Sequence, residues 1–406
     1  MPSRPPGIDV PARDGSDRVS PVAGGALLAV AVVLTALNLR PAVTSIATVL
    51  GDLRADLAVS ATWAGLLTTL PALCFAGAGF AAPWLARRIG LADTISAAMV
   101  ALTAGLALRV AAGPHAVIGA TLLACAGIAL ANVLIPVVVK ASFPARIGLM
   151  TGIYTAALQG GGALGSALTP ILTGPLDGWR AALATWALVA GLALAVWIPA
   201  TRRHRDTWSP RQPGPVVRRS LLGNRLAWTV TLFFGSQAFM AYVVMGWLPE
   251  VFIDHGIDQV RAGLLVGLTS LIGVPLSLVI APLAARRPSQ SGWIVAVGVV
   301  GFTGALGLLL APAAQPLLWS VLIGIGMSAF SMALAVLGLR ARTAEDTAQL
   351  SGMAQGFGYL IAGAGPFLFG LLHDLSHGWT VPWTMFLAVY AVQMVAGAMA
   401  GRARYV

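Results

Sequence analysis

The chain has 406 residues, of which 58% are hydrophobic and only 10% charged. A soluble chain carries roughly a quarter charged residues, so this composition excludes a soluble globular domain. The net charge of +11 then reads as membrane topology, not as a nucleic-acid footprint.

Apolar runs of about 20 residues, the length that crosses a bilayer as a helix, recur from end to end. In chain order the sequence predicts a disordered, Pro-rich cytoplasmic tail over 1–22 without a signal-peptide pattern. Twelve spans follow, near 23–50, 61–86, 91–112, 116–139, 149–176, 179–201, 226–253, 262–285, 291–312, 316–339, 347–373 and 378–400. The hydrophilic stretch 202–225 divides six spans from six. The expected organisation is a six-helix bundle over 23–201, a cytoplasmic linker over 202–225 and a second bundle over 226–401. The fold class is all-α and polytopic.

The basic residues set the orientation. With the N-terminus inside, 20 of the 25 Lys and Arg fall on inside segments. Among them are Arg87, Arg88, Lys140 and Arg146, which mark the cytoplasmic ends of spans 2, 4 and 5 and are candidates for gating there. Outside segments hold Arg54, Arg109, Arg180 and Arg261; the remaining cation, Arg40, lies within span 1. By the positive-inside rule both termini are cytoplasmic in a multi-pass protein of the cell membrane.

The two halves repeat each other. Span 2 carries Ala64-Gly-Leu-Leu67, Ala82-Pro83 and Arg87-Arg88; span 8 carries Ala262-Gly-Leu-Leu265, Ala281-Pro282 and Arg286-Arg287. Spans 5 and 11 match through Thr151-Gly152 with Ser351-Gly352, Gly165 with Gly365, and Gly178-Trp179 with Gly378-Trp379. One of these matches is weak alone, because Gly and Ala are common here. Two at nearly one offset, with equal numbers of spans between, specify a duplicated six-span unit.

A 6+6 arrangement of parallel halves resembles the major facilitator superfamily, and the resemblance covers about residues 20–402. The run Ala82-Pro-Trp-Leu-Ala-Arg-Arg-Ile-Gly90 is similar to a degenerate form of the superfamily's signature between spans 2 and 3, with the usual loop Asp missing. The segments Leu37-Asn-Leu-Arg-Pro-Ala42, Trp247-Leu-Pro-Glu250 and Ser351-Gly-Met-Ala-Gln355 resemble the branch of cyanate-transporter-like and 2-nitroimidazole-transporter-like proteins. The resemblance implies a secondary or facilitated transporter working as a monomer without a cofactor. Substrate would bind at the midplane between halves that rock against each other. Spans 1, 4, 7 and 10 would line the cavity, with 2, 5, 8 and 11 at the interface.

Arg40 is the informative charge. A cation within a spanning segment costs about 2.5–3.5 kcal/mol on insertion scales and normally faces a polar cavity or a partner. Every Asp, Glu and His falls in a tail, a loop or near a span end, so no carboxylate is expected to pair with it and no side-chain proton relay is visible. Three readings stay open: glue to neighbouring helices, a shallow side chain snorkelling outward, or recognition of a carboxylate-like or linear anion by the guanidinium fork. The last is favoured. Pro41 removes a backbone donor and is positioned to kink the helix beside it.

The neutral candidates for substrate contact are Asn38, Asn132, Tyr154, Gln159, Gln237, Gln355 and Tyr359. Each has a packing alternative. Asn38 faces another direction than Arg40 and is expected to bond a neighbouring span. Asn132 stands four residues before Pro136, where local backbone repair competes. Gln355 and Tyr359 share a helix face. Phe234, Trp247 and Phe330 read first as packing or an interfacial belt, and Gly160–Gly162, Gly165, Gly363, Gly365 and Pro366 as close approach at the interface of the halves. Cys74 and Cys125 show neither metal nor redox spacing. No Gly-x4-Gly-Lys-Ser/Thr loop and no cluster of acids or histidines supports an ATP-driven pump or an enzyme. The competing function is export of small neutral heterocycles, with Arg40 structural.

Overall fold

The structure is a computed structural model that describes residues 25–143, 146–202, 221–285, 287–342 and 344–406. The expected tail over 1–22, most of the expected linker and Arg286 of the repeat lie outside the described residues. The described residues form fifteen helices: α1 Ala26–Asn38, α2 Pro41–Thr48, α3 Leu50–Leu57, α4 Ala61–Ile89, α5 Leu91–Leu108, α6 Pro114–Ser142, α7 Ile147–Thr173, α8 Trp179–Thr201, α9 Arg225–Asp254, α10 Gln259–Ala285, α11 Ser291–Leu310, α12 Pro316–Met327, α13 Ala329–Leu339, α14 Ala344–Ser376 and α15 Thr380–Ala400. Among the described residues eleven spans are long and apolar enough to cross a membrane. The 27-residue α7 is the twelfth crossing of the bundle.

Two of the predicted spans are each divided into two helices. In span 1, α1 ends at Asn38 and α2 starts with Pro41 at its first position, so the helix breaks across Leu39 and Arg40. Proline supplies no N–H for the Leu37 carbonyl, which explains the break. In span 10, α12 and α13 are separated at Ser328. The Ser328 hydroxyl donates to the Ile325 carbonyl at 2.6 Å, competing with the backbone ladder in the way serine does inside helices. That second break has no proline to announce it.

Helix α5 packs on α6 and on α8, α1 and α2 pack on α7, and α1 also meets α8. In the other half α9 meets α14 and α15, while α11 joins α12 and α15. The halves meet where α4 faces α14 and α7 faces α10. The duplication reaches single turns: Asp177 and His377 adopt left-handed backbone (φ 56° and 52°) immediately before Gly178-Trp179 and Gly378-Trp379. All-helical architecture in two pseudo-symmetric six-span bundles is therefore present as the sequence predicts. The end of the molecule that carries the chain termini is termed the terminal end, and the opposite one the distal end.

The glycines of α7 act elsewhere than expected. A Cβ on Gly161 would overlap the Leu37 carbonyl oxygen, and one on Gly165 would crowd Pro41 at 2.9 Å. They let α7 approach the broken span 1 inside one half, not across the interface. Close approach between halves is provided by Gly65 against Pro366 and Phe367, by Gly267 against Ala163 and, as expected, by Gly363 against Leu73, Ala72 and Thr69, whereas Gly365 meets Phe239 of its own half.

Candidate functional site

The break in span 1 puts Arg40 at the N-cap of α2, where its backbone leaves ordinary helical values (φ −116°, ψ −33°). Its side-chain stem lies on Gly162, whose missing Cβ would sit 3.2 Å from Arg40 Cδ. Gly162 is near the middle of α7, and the groups around the guanidinium come from the middles of α9 and α14. Arg40 thus lies level with the middles of these helices and not near their ends, which speaks against a shallow, outward-snorkelling side chain. Its Nη1 reaches Met245 Sδ at 3.8 Å, and it forms no ion pair among the described residues. The phenols of Tyr242, Tyr359 and Tyr154 lie within electrostatic range of it.

Structural glue, another reading open to a buried arginine, is seen at Arg109. Arg109 donates Nη1 to the Ala42 carbonyl at 2.7 Å and Nη2 to Ser45 Oγ at 3.2 Å, with no exposed surface. The sequence counted it as an ordinary end charge. Its five donors and a polar break in the adjoining span make burial tolerable.

A cavity of about 350 Å³ lies between α4, α6 and α14 in the terminal half of the molecule, with Asn132, Gln355 and Tyr359 in its walls beside Phe75 and Ser351. Tyr359 belongs both to this wall and to the cluster around Arg40. It stacks on Phe75 (5.2 Å between centroids) and takes the Phe234 ring edge-on at 5.3 Å. Tyr154 donates to Asn132 Oδ1 at 2.8 Å, so Asn132 is held by a side chain of α7 as well as standing near Pro136. Gln355 Nε2 donates to Ser351 Oγ at 2.7 Å. Tyr242, buried on α9 with its ring 6.5 Å from that of Tyr359, was missed by sequence reasoning. Its central position in span 7 was the available signal.

Three predicted contacts lie elsewhere. Asn38 Nδ2 donates to the Leu34 carbonyl at 2.8 Å, satisfying itself on its own helix and not on a neighbour. At a helix end the preceding turn is the nearest acceptor for a short amide. Gln237 is fully buried and accepts from Gln393 Nε2 at 3.0 Å, turned into the second half and away from Arg40. Gln159 Nε2 reaches the Ser270 carbonyl at 3.3 Å and links α7 to α10 across the seam. Lys140, Arg146, Arg87 and Arg88 are exposed at the terminal end, Arg88 lying 4.5 Å from the Trp84 ring centroid.

The distal seam is closed by polar contacts between halves. Asp374 accepts from the first N–H groups of α4, Ala61 N at 3.1 Å and Thr62 N at 2.6 Å. A helix N-terminus in one half is thus capped by a carboxylate from the other. Arg54 Nη1 meets Glu250 Oε1 at 2.9 Å, with the Glu250 side chain 5% exposed. Gln259 Nε2 donates to the Thr48 carbonyl at 3.0 Å. Glu250 is therefore more enclosed than an end residue was expected to be. Trp247 is fully buried, bonds the Pro366 carbonyl at 3.0 Å and meets Phe369 and Trp379, which makes it core packing and not an interfacial belt.

Known proteins agree with this architecture. Residues 26–366 match the family model of the Major Facilitator Superfamily. The chain is 39% identical to the transporter YycB of Bacillus subtilis (strain 168), over 92% of this chain and 93% of that protein. It is 36% identical to the 2-nitroimidazole transporter of Escherichia coli (strain K12), over 96% and 97% of the two chains. Identity to the cyanate transport protein CynX of the same strain is 30%, over 86% and 91%. Among solved structures, a bacterial homologue of the human lysosomal transporter Spinster, inward-facing and unoccupied, superposes with a TM-score of 0.73 at 16% identity, covering 92% of this chain and 95% of the other.

Proposed function

The chain belongs to the major facilitator superfamily and is a multi-pass membrane transporter of small solutes, and on that premise we propose that it carries a small anionic or polar solute, cyanate-like, held by Arg40. The bundles 23–201 and 226–401 would alternate access around this fixed point. The observation that carries the reading is a guanidinium at the middle of the bundle without an ion-pair partner among the described residues, with phenols from α7, α9 and α14 within electrostatic range. Its fork supplies paired donors to a planar or linear anion. The Tyr242 and Tyr359 phenols add neutral donors, and Asn132 and Gln355 stand in the wall by which a solute reaches them. With the termini in the cytoplasm of a cell membrane, as the distribution of Lys and Arg predicts, this cavity faces the cytoplasm and the distal seam faces outward.

The stack of Phe75 on Tyr359 favours a second reading. A flat apolar wall suits small neutral heterocycles, for which Arg40 would be structural and transport would run outward. Titration calorimetry of the purified protein with sodium cyanate and with 2-nitroimidazole separates the two. The anion reading expects cyanate binding that Arg40→Gln abolishes while thermal unfolding stays unchanged. Equal cyanate affinity in a folded Arg40→Gln protein sinks it, and 2-nitroimidazole binding indifferent to Arg40 supports the second reading.

A further inference from the structure

The buried Arg109 has no role in the proposed binding chemistry, yet it sits where that chemistry is set up. Helix α2 is only eight residues long and is bounded by breaks at both ends. A two-turn helix does not hold itself together in isolation, so its position comes from its anchors. Four hydrogen bonds, donated by three side chains, tie it to other elements. Thr44 Oγ1 donates to the Gly162 carbonyl at 3.0 Å, Gln259 donates to the Thr48 carbonyl, and Arg109 grips the Ala42 carbonyl and Ser45 Oγ. Gln259 belongs to the other half, so its bond is lost whenever the distal seam opens. Arg109 and Thr44 stay with α2 in either state.

Arg109 is also an expensive way to fill space. It is fully buried, it has no ion pair among the described residues, and its Nε lacks a hydrogen-bond partner. An apolar side chain of similar length would avoid the desolvation penalty. What it would not offer is a long, charged donor to a carbonyl in the first turn after Arg40. From these contacts we infer that Arg109 is a positioning residue: it fixes the first turn of α2, and with it the place of Arg40, in both the distal-closed and the distal-open state. This rests on the reading of Arg40 as the anion-binding group.

Two readouts test it, one of them independent of any substrate. In a background with Cys74→Ala and Cys125→Ala, position 40 is replaced as Arg40→Cys and its reaction rate with an anionic methanethiosulfonate reagent is measured with and without Arg109→Met. A change of about tenfold is expected, the scale of a lost bond from a charged donor, and Arg109→Lys brings the rate back toward the parent. In the second arm, with Arg40 intact, Arg109→Met weakens sodium cyanate binding about tenfold and Arg109→Lys recovers most of it. If Arg109→Met does not fold, Ser45→Ala removes one of the two bonds, and a change of about twofold in the labelling rate is expected. An unchanged labelling rate in folded Arg109→Met, or in Ser45→Ala where that variant stands in, overturns the positioning role. If instead folded Arg40→Gln binds cyanate normally, the anion reading fails while the labelling arm still reports where position 40 sits.

Discussion

The two ends of the interface between the halves are built differently. At the distal end the halves are tied by Arg54–Glu250, by Asp374 on the α4 N-terminus and by Gln259 on Thr48, above a dry cluster around Trp247. Toward the terminal end the walls draw apart into the cavity lined by Asn132, Gln355 and Tyr359. The same pair of helices, α4 and α14, contributes to both. On the proposed reading closure is local: a few charged and capped contacts at one end would set the state, with Arg40 in the middle serving either one.

The comparison can be broken most strongly at the ion pair. Glu250→Leu leaves Arg54 without its carboxylate in a largely enclosed site; between the exposed and buried limits this costs about 1–3 kcal/mol. The population should shift toward a distal-open form by about fivefold to a hundredfold. A cysteine at Thr48, in the background free of native cysteines, should then react faster with a membrane-impermeant thiol reagent; an unaltered rate means the pair does not hold the seam. Asp374→Asn is next, because an amide caps helix N–H groups less well than a carboxylate, at about 1 kcal/mol. The same labelling assay should show a rise of about fivefold, and Glu250→Leu with Asp374→Asn should exceed either alone. The smallest effect belongs to the cavity. Tyr154→Phe removes one neutral hydrogen bond to Asn132, worth about 0.5–1.5 kcal/mol. It should weaken cyanate binding by a few fold in calorimetry while leaving Thr48 labelling unchanged, and any change in labelling would show that the two ends are not separable.

Much of the architecture was legible because the bilayer imposes length. Twelve apolar runs, the charge distribution and the repeat of Ala64-Gly-Leu-Leu67 in Ala262-Gly-Leu-Leu265 carry the fold without reference to side-chain packing. Pro41 announced the break in span 1, but the break at Ser328 was silent, since serine sits in many unbroken helices. At the site, Arg40, Tyr154, Asn132, Gln355 and Tyr359 come together as a polar set because each is rare in its apolar run. Gln237 shows the limit of that signal. An amide in a spanning helix advertises a need for a partner, and only the fold reveals that Gln393 meets it. Arg109 and Tyr242 were passed over for the opposite reason: one looked like a loop charge, the other like an ordinary aromatic.

The glycine contacts of the seam carry a kinetic consequence. Where Gly65 faces the backbone at Pro366 and Phe367, and Gly267 faces Ala163, the halves touch main chain to main chain. Such a surface behaves as a bearing. At these points one half can roll over the other without withdrawing a large side chain from a hole, whereas the cluster around Trp247 must come apart. Transport speed would then be governed by how often the distal ties let go, and a bulky residue at either glycine would force the halves apart in the distal-closed state, where an added Cβ already crowds the facing backbone.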